Sequence, residues 1–191
     1  MLLFARPSDE RIQQFIDERR SLSFSYAEVG ATRDAPPSWS VVDHNRIALG
    51  SGAACFERAK VAVRNWTMFD IGWVKLCWPV TPIEPGATVA VLGRVLGLWS
   101  MNACRVVYAI DERQQVERFG FAYGTLPEHV ESGEERFSVE WNHADGSVVY
   151  DILAFSRPNQ TLSRVLYPWT RRLQKRFAID SMSAMQRAVH T

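Results

Sequence analysis

Between residues 73 and 157 the hydrophobic pattern runs with a period of two, and this restricts the chain more than any other feature. Six segments alternate or are continuously apolar: Trp73–Trp78, Thr88–Leu96, Cys104–Asp111, Val116–Thr125, Glu135–Trp141 and Val148–Arg157. Such segments read as β-strands. Turn chemistry separates them at Pro79 to Gly86, Gly97, Asp111 to Gln115, Pro127 to Gly133 and Asn142 to Gly146, and Asp145-Gly146 is a strong hairpin signal. Connections this short join antiparallel neighbours, because a parallel pair needs a crossover of a dozen residues or more.

The flanks carry helical periods. Ser8, Asp9 and Glu10 form a helix start ahead of Ile12, Phe15 and Ile16, with an end expected near Arg20. Gly30, Pro36 and Pro37 mark a loop, followed by a short strand over Trp39–Val42 or Arg46–Leu49. Gly50-Ser51-Gly52 opens a second helix with Phe56, Ala59, Val63 and Trp66 on one face. After Pro158, Leu162, Leu166, Trp169, Leu173 and Phe177 form a stripe that continues to Met185 and Val189, with a kink or break expected at Pro168. A sheet with one apolar face must bury it, and the long C-terminal helix is the large partner available. The expected fold is α+β: a curved antiparallel sheet of six to seven strands wrapped around that helix. The whole chain, 1–191, forms one domain, with residues 1–35 as an N-terminal helix-and-loop extension.

Composition narrows the function classes. A net charge of +1 argues against nucleic-acid binding as the main activity. Three cysteines (Cys55, Cys77, Cys104) without a CxxC pair indicate neither a disulfide framework nor a zinc site, and they fit a reducing, cytoplasmic setting. The apolar run before Arg6 is too short for a signal peptide, and no segment approaches the roughly 20 apolar residues of a membrane helix.

Three stretches, Phe119-Gly-Phe-Ala-Tyr-Gly-Thr-Leu-Pro-Glu-His129, Ser132-Gly-Glu-Glu-Arg-Phe137 and Ala154-Phe-Ser-Arg-Pro158, resemble the domain-of-unknown-function 1990 family of bacteria and plants. So do Tyr26-Ala-Glu-Val-Gly-Ala-Thr32 and Leu49-Gly-Ser-Gly52, so the resemblance covers nearly the whole chain. That family is similar to the START-like helix-grip superfamily of polyketide cyclases, lipid-transfer domains and plant pathogenesis-related proteins. The resemblance implies an apolar ligand held between sheet and helix; from the residues themselves no cofactor or metal is expected.

On this reading Trp73, Phe119, Phe121, Tyr123 and Trp169 are expected as cavity walls, Arg105, Glu135 and Arg157 as its polar pole, and His129 at its entrance. Tyr123, His129 and a carboxylate would serve an alternative cyclase, hydrolase or isomerase. Gly120 and Gly124 permit close packing or a sheet bend. An inward Arg105, Arg136 or Arg157 needs a carboxylate, for which Glu135 and Asp151 are candidates. Glu128, Glu131, Glu134 and Glu135 read as a solvated acidic loop. Gly50-Ser51-Gly52 lacks the remainder of a phosphate-binding motif and reads as a helix cap. Ser156 lacks a nucleophile elbow, and the four histidines lack metal-ligand spacing. Arg164, Arg171, Arg172, Lys175 and Arg176 form either a solvated helix face or a contact for an anionic membrane, an RNA or another partner. A cavity filled by side chains, leaving a scaffold protein, is a further alternative.

Overall fold

A computed structural model describes residues 1–95, 97–159 and 167–190. In chain order the elements are β1 (Leu2–Leu3), α1 (Asp9–Arg19), β2 (Val41–Ser51), α2 (Gly52–Arg64), a 3-10 turn (Thr67–Phe69), β3 (Val74–Cys77), β4 (Thr88–Val95), β5 (Leu98–Glu112), β6 (Val116–Thr125), β7 (Glu131–Asn142), β8 (Ser147–Pro158) and α3 (Tyr167–His190). The sheet order is β2-β8-β7-β6-β5-β4-β3, with β1 added beside β5. Every pairing is antiparallel. The six strands expected between residues 73 and 157 are all present, and hairpins join them in sequence. β2 crosses to the far edge, against β8, and leads straight into α2.

The sheet curves where glycines remove side chains. A Cβ on Gly120 would stand 2.1 Å from the Phe137 carbonyl oxygen, and one on Gly133 would stand 1.9 Å from that of Phe155. Neighbouring backbones approach there more closely than any other residue allows, which is how a sheet bends tightly. The concave face holds the larger core: Val106, Phe119, Phe121, Phe137, Val139, Tyr150 and Ile152 pack against α2, the 3-10 turn and α3. The concave face is therefore shared by two helices and was not left to the C-terminal one alone. Ser51 precedes α2 in extended geometry but makes no side-chain capping bond. Trp66 closes this end: it is 2% exposed, its ring lies 4.4 Å from that of Phe121, and its indole N–H donates to the Thr81 carbonyl at 2.7 Å.

The convex face is covered as well. Ser8 caps α1 by accepting from the Arg11 amide at 3.3 Å. The helix lays Ile12, Phe15 and Ile16 on Ala90, Leu92, Met101, Ala103 and Leu126. The segment that follows α1 runs across the outer surface. Tyr26, Gly30 and Thr32 converge there on Glu134, which is 2% exposed: its carboxylate accepts from the Tyr26 hydroxyl (2.7 Å), the Gly30 amide (2.7 Å), the Thr32 amide (3.0 Å) and the Thr32 hydroxyl. Asp151, fully buried, accepts from His44 (2.6 Å), Arg46 (2.8 Å) and Arg136 (3.0 Å). Arg136, expected to face inward, instead points outward and pairs with Asp151, one of the two carboxylates considered for it.

Two further expectations change. The strand sought over Trp39–Val42 or Arg46–Leu49 is one strand of 11 residues, β2. Glu131, Glu134 and Glu135 are not loop residues but belong to β7, which begins four residues earlier than expected. Pro168 is the second residue of the described helix α3, and the stretch before it, on which the expected kink or break depends, lies outside the described residues. Leu162, Leu166 and Arg164 lie outside the described residues.

Candidate functional site: a cavity between the sheet and the C-terminal helix

A cavity of about 480 Å³ lies between the concave sheet, the turn after α2, and α3. Antiparallel register sets out its floor in rows. Asp43, Ala154, Glu135 and Tyr123 are successive register partners on β2, β8, β7 and β6. Beside that row lie Asn45 and Ile152, and the same row continues through Phe137 and Phe121 into the packed core behind the cavity. On the other side come Ser156 and Gly133, then Glu131. The apolar wall is completed by Phe69, Trp73, Val74 and Val91, with Leu173, Phe177 and Ala178 from α3 as the roof.

Polar groups therefore gather toward the end of the floor formed by the start of β7. The Tyr123 hydroxyl donates to Glu135 at 3.0 Å. Burial pushes the Glu135 carboxyl up to about 7, the Tyr123 hydrogen bond opposing, with Asp43 adding repulsion. Asp43 is itself held by two hydrogen bonds from the Arg171 guanidinium, at 2.5 and 2.6 Å. Glu131 is 7% exposed, and neither carboxyl oxygen makes a hydrogen bond within the described residues. Burial pushes its carboxyl up to about 7, with the Ser156 hydroxyl and Arg171 acting weakly in the other direction. The Glu131 amide donates to His129 Nδ1 at 3.0 Å, and burial holds the imidazole down to about 4, neutral at pH 7.

Of the residues singled out from the sequence, Trp73, Tyr123, His129 and Glu135 line this cavity. Trp73 is fixed by its indole N–H on Asp180 (2.8 Å) and by the Arg176 guanidinium over its ring. Phe121 packs behind the floor against Trp66 and Phe137, and Phe119 lies under Arg64 of α2; neither lines the cavity. Two members of the expected polar pole are on the opposite face. Arg105 donates to the carbonyls of Arg19, Arg20 and Leu22, closing the C-terminal end of α1. Arg157 stacks on Trp39, 4.4 Å from the ring centroid. Trp169 is 40% exposed and does not line the cavity. The basic run on α3 is also divided: Arg171 binds Asp43, Arg176 binds Asp180, Lys175 lies at the cavity rim, and Arg172 is exposed.

Glu131, Asp43 and Phe69 were not anticipated as cavity residues. Carrying the parity of Phe137 and Val139 back along β7 puts 135, 133 and 131 on the same face, so Glu131 was within reach of the sequence pattern. Asp43 sits in a strand whose residues are polar on both faces, which hides its period. Tyr123 and Glu135 are hydrogen-bonded to each other, but His129 bonds to neither within the described residues, so the three do not form an acid–base relay. No three His, Cys, Asp or Glu side chains among the described residues are grouped to hold a metal ion, and no described helix is long and apolar enough to cross a membrane.

An antiparallel sheet gripping a C-terminal helix over a cavity defines a START-like helix-grip protein. Residues 25–184 match the family described as domain of unknown function (DUF1990), and the chain belongs to that family. A UPF0548 protein of Dictyostelium discoideum is 39% identical over 99% of this chain and 96% of its own length. Among solved structures, a hypothetical protein of Helicobacter pylori superposes with a TM-score of 0.54 at 7% identity, covering 86% of this chain and 97% of that one. Human STARD10 gives 0.48 at 11% identity, with 97% and 80% covered.

Proposed function

We propose that the protein binds a small apolar or amphipathic molecule in the cavity between the concave sheet and α3. The observation that carries this reading is the cavity itself: about 480 Å³, walled mainly by apolar and aromatic side chains, with its polar groups gathered toward one end. Ligand sites have this size and this distribution of polarity, whereas a core that serves only stability is packed without such voids. The test is native mass spectrometry of the purified protein, followed by organic extraction and a thermal-shift panel of lipids and small metabolites. A stoichiometric adduct, or a shift in melting temperature that Ala154→Phe abolishes by filling the floor, is the expected result. A clean apo mass with no shift across the panel overturns the reading.

A further inference from the structure

Resting on that reading, we infer that the cavity selects an amphipathic amine, its ammonium against Glu131 and its apolar body along Phe69, Trp73 and Phe177. The inference starts from an imbalance. Three carboxyl groups face the cavity, Asp43 from β2 and Glu131 and Glu135 from β7. Of the cationic groups nearby, the Arg171 guanidinium is taken up by Asp43, and Lys175 is exposed at the rim. His129, the remaining titratable group beside Tyr123, is neutral. Glu135 has a partner in Tyr123. Glu131 makes no hydrogen bond among the described residues, with only the Ser156 hydroxyl and the Arg171 guanidinium near enough to act on it, although it is 7% exposed.

Leaving both oxygens of a buried carboxyl without a partner is costly, and proteins seldom retain such a group unless something completes it. What completes a carboxyl is a donor, and a charged donor does so most strongly. A fatty acid or a phosphate monoester would instead bring a further negative charge beside Glu131 and Glu135. Gly133, between the two glutamates on the same strand, lines the cavity with bare backbone. At neutral pH part of the Glu131 population is protonated, so an incoming ammonium drives that proton into the buffer and leaves a carboxylate–ammonium pair.

The test compares decylamine, decanoic acid and decan-1-ol, which share one tail, on the full chain by isothermal titration calorimetry below their aggregation thresholds. Decylamine is expected to bind about tenfold or more tightly than either of the others, the ratio a charge-assisted hydrogen bond gives. Its binding at pH 7 should release protons, read from the dependence of the heat on buffer ionisation. Glu131→Gln should bring decylamine to the affinity of the alcohol and remove the proton release, while the alcohol keeps its own affinity. Equal binding of amine and alcohol, or preference for decanoic acid, overturns the inference and leaves the cavity-binding reading standing. Absence of binding by all three overturns both.

Discussion

Replacing Glu134 should detach the segment that follows α1 from the sheet, and the structure gives the scale of the loss. The carboxylate is 2% exposed and accepts four hydrogen bonds, from the Tyr26 hydroxyl, the Gly30 and Thr32 amides and the Thr32 hydroxyl. Glu134→Ala removes every acceptor at once. Two backbone amides and a phenol then remain where water enters only if the segment lifts. Each unsatisfied buried donor costs about 1–3 kcal/mol. The losses are not additive, since one displacement of the segment exposes all of them. A total of about 3–5 kcal/mol is therefore expected, comparable to breaking a buried charged pair. For a chain of this length that lowers Tm by roughly 10 °C.

Glu134→Gln keeps the shape but turns one acceptor into a donor facing donors. It should cost about half as much. The assays are urea unfolding and limited proteolysis, with cleavage mapped by mass spectrometry. Cleavage should appear between residues 25 and 36 in Glu134→Ala before global unfolding begins. A stability loss below about 1 kcal/mol with an unchanged cleavage pattern would refute the reasoning. It would mean that packing of Tyr26 on Phe155 and Phe24 holds the segment without the carboxylate.

Gly124→Ala places a Cβ 2.1 Å from the Tyr26 hydroxyl and 2.9 Å from the Phe24 and Tyr26 rings; it should cost about 1–3 kcal/mol by urea unfolding, and most of that cost should vanish in a Tyr26→Ala background. The Glu135 carboxyl, held up to about 7 by burial, binds a proton in the folded state that the unfolded chain releases near 4.5, so it stabilises fully below 4.5 and this contribution is lost as pH rises to 7. Glu135→Gln should accordingly gain stability on the parent between pH 5 and pH 8, on the order of 1–3 kcal/mol, and a flat difference across that range would count against it. His129 gives the opposite slope: its imidazole is held down to about 4, so its contribution is present above 6.5 and is lost as pH falls toward 4, and His129→Asn should be least sensitive to acid in that window.

The sheet was legible because its period and turns agree: β6 begins and ends where the alternation does, and Asp145-Gly146 makes the hairpin it signals. β2 was blurred for a physical reason. Its inward residues, Asp43 and Asn45, face a cavity with a polar end, while its outward residues, His44 and Arg46, reach the buried Asp151. Both faces are polar, so no alternation survives. Trp73 and Tyr123 were readable as cavity walls from their aromatic character, and Glu135 as part of a polar pole from the carboxylate that an inward arginine would need. Arg105 and Arg157 were misassigned because an arginine among apolar residues was taken to need a partner inside. One found backbone carbonyls at a helix end, the other an aromatic face, both outside. Trp169 failed by helix phase: it stands roughly 160° round the helix from the buried Met185, and that turns its ring toward solvent.

Strand β7 shows how one pleat divides the molecule's work. Its even-numbered residues, Glu134 and Arg136, point outward: Glu134 clamps the chain after α1, and Arg136 joins the Asp151 network. Its odd-numbered residues, Glu131 and Glu135, point inward and keep their protons to near pH 7. Four charged residues within six positions thus carry two opposite tasks. The outward pair are satisfied by groups of the chain itself and fix the N-terminal layer in place. Among the described residues, Glu135 of the inward pair is bonded by Tyr123 alone and Glu131 makes no hydrogen bond. A register slip of one residue would exchange the two sets, placing a clamp residue in the cavity and an unpaired acid under the N-terminal layer. Among the described residues, the contrast between a Glu134 with four hydrogen bonds and a Glu131 with none, three residues apart and both buried, indicates a difference of role. Burial alone is common to both, so what separates them is that one faces its own chain and the other faces a space the chain leaves open.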